Sequence, residues 1–340
     1  MLNFEIEKMK KQVKNIYLYL QNNTNSWNIK VCKTKWRNKI SNNSYCFDIP
    51  NIESGNDKIK IISEYLKNIF KISVNEINDF ERSLEEACSG SGNEAEKITI
   101  LRSSSLCCLL NFYNVREKPI YITINNKKVC FNQAFFEVKN EVINNPSNID
   151  VVLISENNNY VLFLESKFSE YYIDKGPIQI SKQYLTHDIS KHFYNNKVLE
   201  KIDSFIIMEN DKPKILKDEN GTDVFILDTN KTIRKRTKGY VGGIKQIISH
   251  YIGLNNFIKT KIIKGNKINP KAKILLGEIV FDFPEQTDMY DYLIDYEKKY
   301  TSLATILNNN SEIMVLTSLL HFSNYKERLN DTIKQFYYGI

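Results

Sequence analysis

Two carboxylates and an amine stand at the ends of two apolar runs near the middle of the chain. Asp150 is at the start of the first run, 149–154, and Glu165 and Lys167 are at the end of the second, 160–167. Three consecutive asparagines between the runs favour a turn and therefore an antiparallel hairpin. Carboxylates bind hard divalent cations, and an amine beside such a cation can orient water and stabilise negative charge. This combination is typical of metal-assisted hydrolysis of a phosphodiester.

The register expected for this hairpin brings the three side chains to one face. If Asn157 and Asn158 form a two-residue turn, the numbers of paired residues have a constant sum. The predicted pairs are Asp150 with Glu165, Val152 with Phe163, and Ile154 with Val161. Paired residues share a face, and Lys167, two residues beyond Glu165, points the same way. A slip of one residue would put Asp150 on the other face, so the hypothesis depends on this register.

The Glu-x-Lys pattern alone is weak evidence, because it also occurs at Glu137 and at Glu297. No aspartate precedes Glu137 on a partner strand, and Glu297 lies in a segment that reads as a helix with an exposed charged face. The sequence therefore favours Glu165 as the site residue. The alternative is that the run simply ends in solvent with ordinary charged residues.

Asp150, followed by Glu165-Ser166-Lys167 on the next strand, resembles the PD-(D/E)xK nuclease superfamily, with Ile149 in place of the family's proline. This resemblance implies an α/β protein with a restriction-endonuclease-like core, a central mixed sheet flanked by helices in the order αβββαβ. The implied elements are a helix over 93–113, a strand over 128–142, the hairpin, a helix over 242–254 and a strand over 272–283. Short motifs in 89–94, 103–105 and 243–250 are most similar to uncharacterised bacterial members.

The resemblance also implies roles for individual residues. Asp150, Glu165 and the backbone carbonyl of Ser166 would bind Mg²⁺, or Mn²⁺ in its place, and Lys167 would position a water molecule and stabilise negative charge. Many members place a glutamate on the first core helix near the metal, and many carry a glutamine on the second. The matching positions are Glu94, with Glu96 as the alternative in the same turn, and Gln246, with His250 one turn later.

Structural explanations remain open for these helix residues. An acidic residue such as Glu94 or Glu96 is also favourable in the first turn of any helix. Gln246 and His250 are equally compatible with the polar side of a helix that covers the sheet. We nevertheless include Glu94 and Gln246 among the candidate catalytic residues.

The chain divides into three predicted regions. Residues 1–88 are expected to be mainly helical, 89–285 to form the nuclease-like core with an insertion at 168–240, and 286–340 to form an α-rich C-terminal extension. The insertion ends in a basic cluster that we predict to contact DNA phosphates together with His250. The cluster consists of Arg234, Lys235, Arg236 and Lys238. The alternative is a set of solvated basic loops.

Composition sets wide limits on function. The 340 residues include 47 Lys and Arg against 40 Asp and Glu, and the formal charge of +7 is compatible with a polyanionic partner without requiring one. The six cysteines match neither a zinc site nor a regular disulfide framework. Because neither a leader peptide nor a membrane span is apparent, we expect a cytoplasmic protein that does not bind membranes.

These observations predict a metal-dependent DNA endonuclease of the restriction, defence or repair type, with DNA as its partner. Homodimers are frequent in the resembled superfamily, so a homodimer is a further expectation. Two alternatives keep the same fold: a catalytically inactive nucleic-acid-binding protein and a protein-interaction scaffold. Retention of Asp150, Glu165 and Lys167 together favours the enzyme.

Overall fold

The protein is represented by a computed structural model. It describes residues 14–24, 27, 30–36, 39–50, 52, 57–90, 94–141, 146–169, 178–181, 208–210, 212–213, 215–217, 223–227, 244–284, 289–308 and 312–340. None of the helices in these ranges combines the length and apolar character needed to cross a bilayer.

The described helices vary from a single turn to 19 residues. In chain order they are α1 (residues 14–23), α2 (Lys58–Ile69), α3 (Ile77–Ala87), α4 (Glu94–Lys97), α5 (Ser104–Phe112), α6 (Ile244–Thr260), α7 (Met289–Leu307) and α8 (Asp331–Tyr338). Short 3₁₀ helices lie at Val74–Glu76 and Phe322–Arg328.

The described strands are distributed along the whole chain. They are β1 (Val31–Trp36), β2 (Lys39–Phe47), β3 (Ile120–Ile124), β4 (Lys127–Glu141), β5 (Pro146–Ser155), β6 (Tyr160–Lys167), β7 (Ile178–Ser181), β8 (Met208–Glu209), β9 (Lys212–Pro213), β10 (Ile215–Lys217), β11 (Asp223–Leu227), β12 (Ile262–Ile263), β13 (Asn266–Lys267), β14 (Lys273–Val280), β15 (Ile313–Val315) and β16 (Leu320–His321).

A curled, mixed sheet of seven strands forms the centre of the α/β fold. Its order is β15-β14-β6-β5-β4-β3, and β16 also pairs with β14. The pairs from β3 to β6 are antiparallel, whereas β14 runs parallel to β6, β15 and β16. The parallel pair is reached by a long crossover that includes α6, as parallel strands require. The general α/β class is therefore confirmed.

Helices cover both faces of the hairpin strands β5 and β6, which explains their almost unbroken apolar sequence. Phe163 packs against Phe257 of α6, with ring centroids 4.9 Å apart. On the opposite face, the Ser166 hydroxyl donates to the backbone oxygen of Ser104 at the start of α5, at 3.1 Å. Since neighbouring strand residues point to opposite faces, Glu165 points toward α6.

The predicted register of the hairpin is confirmed. Val152 pairs with Phe163 and Ile154 with Val161. The connection is longer than the two-residue turn that we predicted, because β5 ends at Ser155 and β6 begins at Tyr160. The Ser155 hydroxyl accepts from the Tyr160 amide at 2.9 Å, which closes the loop. Because the longer loop is centred on the same pair of residues, the constant sum of the paired numbers is unchanged.

Several predicted boundaries are wrong for local reasons. The helix expected over 93–113 is split into α4 and α5, because Ile100 between them forms a bridge with Cys46. The Ser103 hydroxyl then caps α5 by accepting from the Leu106 amide at 3.1 Å. Residues 1–88, expected to be mainly helical, contain the β1–β2 hairpin as well as helices, and β3 was not predicted.

The two ends of the described chain pack together. Tyr19 in α1 donates from its hydroxyl to the backbone oxygen of Tyr337 at 2.8 Å. Phe336 in α8 lies edge-on to Phe70 at a centroid distance of 5.2 Å, and it stacks against Trp27 at 6.2 Å. Aromatic burial of this kind joins the N-terminal and C-terminal additions to one hydrophobic cluster.

Candidate active site at the end of the hairpin

Glu165 is the hub of the candidate site. Its side chain is 1 % exposed and lies at the end of β6, where it faces α6. One carboxylate oxygen, Oε1, accepts from the Lys167 ammonium and from the Gln246 amide. The other, Oε2, lies 2.7 Å from His250 Nε2. Strand β6 and helix α6 thus bring Lys167 and Gln246 into contact with Glu165. All three were predicted to be catalytic residues.

His250 has a different position from the one we predicted. Instead of meeting a nucleic acid at the surface, it is 1 % exposed and contacts Glu165. Its second ring nitrogen, Nδ1, lies 2.6 Å from the hydroxyl of Ser147. A neutral imidazole satisfies both contacts when Nε2 donates and Nδ1 accepts. We therefore reassign His250 as a residue that orients Glu165.

Gln246 is the exposed member of the cluster around Glu165. Its amide reaches Glu165, as predicted for a glutamine on the second helix, yet the residue as a whole is exposed. Lys167, by comparison, is 5 % exposed. Within the described residues, Gln246 therefore connects the buried Glu165 carboxylate to the surface.

Asp150 lies on β5, beside the residues that end β6. The register of the hairpin, continued by one pair, sets it opposite Glu165. Its carboxylate accepts from the backbone amide of Ser166 at 2.7 Å. The Ser166 amide would otherwise be available for the hydrogen bonds of the sheet. It instead orients the Asp150 carboxylate, at the point where β5 and β6 separate.

Two further carboxylates approach from α4 and β4. Glu94 is 4 % exposed and Glu137 is 7 % exposed. Both lie close to Gly90: a β-carbon there would be 2.8 Å from Cδ of Glu94 and 2.9 Å from Oε2 of Glu137. Glu96, the alternative to Glu94, instead forms an ion pair with Lys58 at the surface, at 2.9 Å. The geometry thus favours Glu94 over Glu96 as the acid of this helix.

The carboxylates of the site differ in the direction in which their pKa values are shifted: that of Glu165 is lowered, and those of Asp150 and Glu137 are raised. Burial raises the pKa of Glu165, but the Lys167 charge and the hydrogen bond from His250 outweigh burial and lower it to about 2. Burial and then the charge of Glu165 raise the pKa of Asp150 well above its usual range. Burial, Glu94 and Glu165, in that order, raise the pKa of Glu137 to about 7. Neighbouring acids that shift one another's pKa values are common at functional sites.

This donor set fits a hard divalent cation. All four acids offer oxygen ligands, the type that Mg²⁺ and Mn²⁺ prefer, and a bound cation would lower the pKa values that crowding has raised. In the described part of the chain, however, no three His, Cys, Asp or Glu side chains are already gathered around a single metal position. Cation binding therefore requires side-chain movement, above all the release of Glu165 by its present donors.

The predicted basic cluster lies outside the described residues, because Arg234, Lys235, Arg236 and Lys238 fall between β11 and α6. Most of the 168–240 insertion lies outside them as well. The DNA contact predicted for this cluster therefore stays a prediction.

No protein-family model, no curated protein and no solved structure matches this chain. The likeness to PD-(D/E)xK nucleases accordingly depends on the residues and contacts described above. The restriction-endonuclease-like core, as a narrower statement than the α/β class, stays a prediction.

Two residues of the site were not found from the sequence. We set Glu137 aside because no aspartate precedes it on a partner strand, but its partner strand follows it in the chain. The register of β4 and β5, continued across one unpaired position, sets Glu137 opposite Asp150. The Glu-x-Lys pattern at Glu137 was the available signal. Ser147, which contacts His250, left no comparable signal in the sequence.

Proposed function

We propose that the protein is a metal-dependent nuclease that hydrolyses DNA phosphodiester bonds, as an endonuclease of the restriction, defence or repair type. The observation that carries this proposal is the convergence of Lys167, Gln246 and His250 on Glu165, with Asp150 on the adjacent strand. An acid, an amine and an amide gathered in one cluster are groups that metal-assisted phosphodiester hydrolysis uses.

The cation would be held by Asp150, Glu165 and the backbone carbonyl of Ser166, and Glu94 is a further candidate ligand. Mg²⁺ or Mn²⁺, when bound there, supplies positive charge at the scissile phosphate. Lys167 already contacts the Ser166 carbonyl at 3.3 Å and also the Glu165 carboxylate, so its ammonium is adjacent to two of the proposed ligands of the cation.

The protein's own side chains then perform the remaining tasks. Lys167, released from Glu165, donates hydrogen bonds to water and to a phosphate oxygen, which stabilises the charge that develops on that oxygen. Gln246 is placed to orient the substrate or the water at the mouth of the site. His250, held by Ser147, restricts Glu165 to one orientation in the manner of an outer-shell partner.

One observation favours the alternative, a catalytically inactive DNA-binding protein. The two oxygens of Glu165 already accept from three donors, so the carboxylate is satisfied without a cation. In that case the cluster would be a structural network that joins β6 to α6.

A cleavage assay separates these functions. We expect the purified protein with Mg²⁺ or Mn²⁺ to cut duplex, single-stranded or branched DNA, and EDTA to stop the reaction. Lys167→Ala should lower the rate by at least about 100-fold, because it removes a donor to the developing charge. DNA affinity should change little, since binding depends on many phosphate contacts. Lys167→Met, which keeps the buried stem, controls for packing.

Lys298→Ala is the matched control, since Lys298 is an exposed lysine on α7. It makes the same change of charge and should leave cleavage unchanged. If the wild-type protein binds DNA but cuts none of these substrates with either metal, the binding-protein alternative is correct.

A further inference from the structure

Two cysteines face each other across the β1–β2 hairpin. Cys32 on β1 is directly opposite Cys46 on β2, and both residues are half-buried. Their Sγ atoms lie 3.2 Å apart. A disulfide bond is about 2.05 Å long, so the two sulfur atoms need to approach by only about 1 Å more to bond. Neither cysteine belongs to the nuclease site that we propose.

The hairpin also supplies the backbone geometry that a disulfide bond needs. Directly opposed residues of an antiparallel pair have α-carbons about 4.5–5.5 Å apart, and disulfide bonds span α-carbon distances of about 4.4–6.8 Å. The bond can therefore form by rotation of the two side chains. The spacing of the cysteines gave no sign of this pairing, because the register of the hairpin shifts between Lys33 and Lys35.

The strand that carries Cys46 is also bound on its other side. Cys46 forms an isolated bridge with Ile100, and the Leu101 amide donates to the backbone oxygen of Tyr45 at 3.1 Å. Residues 100 and 101 lie in the connection between α4 and α5. A bond from Cys32 to Cys46 would therefore fix β1 to the strand that supports this connection.

The two thiols differ in their surroundings. The Cys46 thiol donates to the backbone oxygen of Cys32 at 3.7 Å. Burial and then the hydrogen bond with Cys32 raise the pKa of Cys46 to about 12. Cys46 therefore keeps its proton at neutral pH. Because the thiolate is the nucleophilic form of cysteine, Cys32 is the residue that reacts first with an oxidant.

We propose that Cys32 and Cys46 are an oxidation site, at which hydrogen peroxide converts the two thiols to a disulfide bond that fixes β1 to β2. The Cys32 thiolate attacks one peroxide oxygen, the O–O bond breaks, and a sulfenic acid forms on Cys32. The hydroxide that leaves takes up the Cys32 proton as water. Cys46 Sγ then attacks Cys32 Sγ, and the hydroxyl of the sulfenic acid leaves with the Cys46 proton as a second water. The two thiols lose two electrons, which the peroxide gains.

Peptide mass spectrometry of the full chain tests this site. After treatment with hydrogen peroxide and proteolysis, we expect a peptide pair that links Cys32 to Cys46 and is lighter by two hydrogens. Thiol titration of the unfolded chain should fall from six thiols to four, and dithiothreitol should restore all six. Cys130→Ser is the matched control, because Cys130 is a half-buried strand cysteine that lies opposite Tyr121, and it should form the same link.

Two single variants test the order of the steps. Cys46→Ser lacks the second thiol, so the sulfenic acid should persist on Cys32 and react with dimedone. Cys32→Ser keeps only the protonated thiol of the pair, so dimedone should label Cys46 at least about 10-fold more slowly.

Hydrogen exchange tests the structural effect of the bond. The Asp48 amide donates to the backbone oxygen of Lys30 at 2.9 Å, directly beyond the paired strands. Its exchange should be at least about 10-fold slower in the oxidised wild type than in the reduced one, because the bond opposes separation of the two strands. In Cys46→Ser, peroxide should leave this exchange rate unchanged.

Each measurement can contradict one part of this inference. The absence of a Cys32–Cys46 link after peroxide treatment, or a link between other cysteines instead, overturns the oxidation site. Equal dimedone labelling of the two single variants overturns the assigned order. Equal exchange of the Asp48 amide in both redox forms overturns the fixing of β1 to β2. None of these measurements involves DNA or a metal ion, so their results are independent of the proposed nuclease.

Discussion

Replacement of Glu137 by glutamine should change how the stability of the metal-free protein depends on pH. Burial and the charges of Glu94 and Glu165 raise the pKa of Glu137 from 4.5 to about 7, while Lys97 and Lys264 oppose this rise more weakly. The folded state therefore holds a proton that the unfolded state releases between these values. The associated stability is fully present below pH 4.5 and is lost as the pH rises through about 7.

The magnitude follows from the size of the shift. A rise from 4.5 to about 7 corresponds to about 3 kcal/mol, lost at up to about 1.4 kcal/mol per pH unit. Glu137→Gln is neutral at every pH and lacks this loss. Relative to the wild type, its free energy of unfolding should increase by about 3 kcal/mol between pH 4.5 and about pH 8.

Urea unfolding in EDTA, at a series of pH values, measures this difference. The m-values of wild type and variant should agree, so that the free energies can be compared directly. Glu156→Gln is the matched control, because Glu156 is an exposed glutamate in the connection between β5 and β6. Its free energy of unfolding, plotted against pH, should run parallel to that of the wild type. If the Glu137→Gln curve is also parallel, Glu137 does not lie in a crowded acidic cluster, and our account of the site's electrostatics fails.

Three further outcomes are expected. Asp150→Asn should abolish the rise in melting temperature that Mn²⁺ causes in the wild type, because it removes a proposed ligand charge; an undiminished rise would exclude Asp150 as a ligand. Ser147→Ala should lower kcat about 10-fold with little change in KM, since His250 loses the contact that orients it toward Glu165, and an unchanged kcat would assign that contact to structure alone. Gly277→Ala should destabilise the protein by about 1–3 kcal/mol, because its β-carbon would lie 2.9 Å from the Leu316 side chain; a neutral result in urea unfolding would contradict the tight packing there.

The elements closest to the site were the most predictable ones. The β5–β6 hairpin has two apolar runs of matched length around a polar turn, and the register follows from symmetry about that turn. Helix α6 was expected from the resemblance to the nuclease superfamily and extends six residues beyond the expected end at Leu254. Gln246 reached Glu165 as predicted because one helix face determines where both Gln246 and His250 point.

Elements that depend on distant contacts were less predictable. The break between α4 and α5 arises where Ile100 pairs with Cys46, more than 50 residues away in the chain, and no local signal reports such a bridge. The burial of His250 likewise depends on Ser147 from β5, so the sequence of α6 alone suggested a surface position. Tertiary contacts overrode local preference in both cases.

The backbone conformation of Glu137 is a further feature that the sequence did not predict. Its φ of +46° places a glutamate in the left-handed region in the middle of β4, the longest of the described strands, at a cost of about 1–2 kcal/mol. The raised pKa adds a further cost at neutral pH, so this residue disfavours the metal-free fold in two ways. Glu137→Gln removes the electrostatic part of that cost and leaves the backbone part in place, so the pH dependence of the unfolding free energy separates the two contributions.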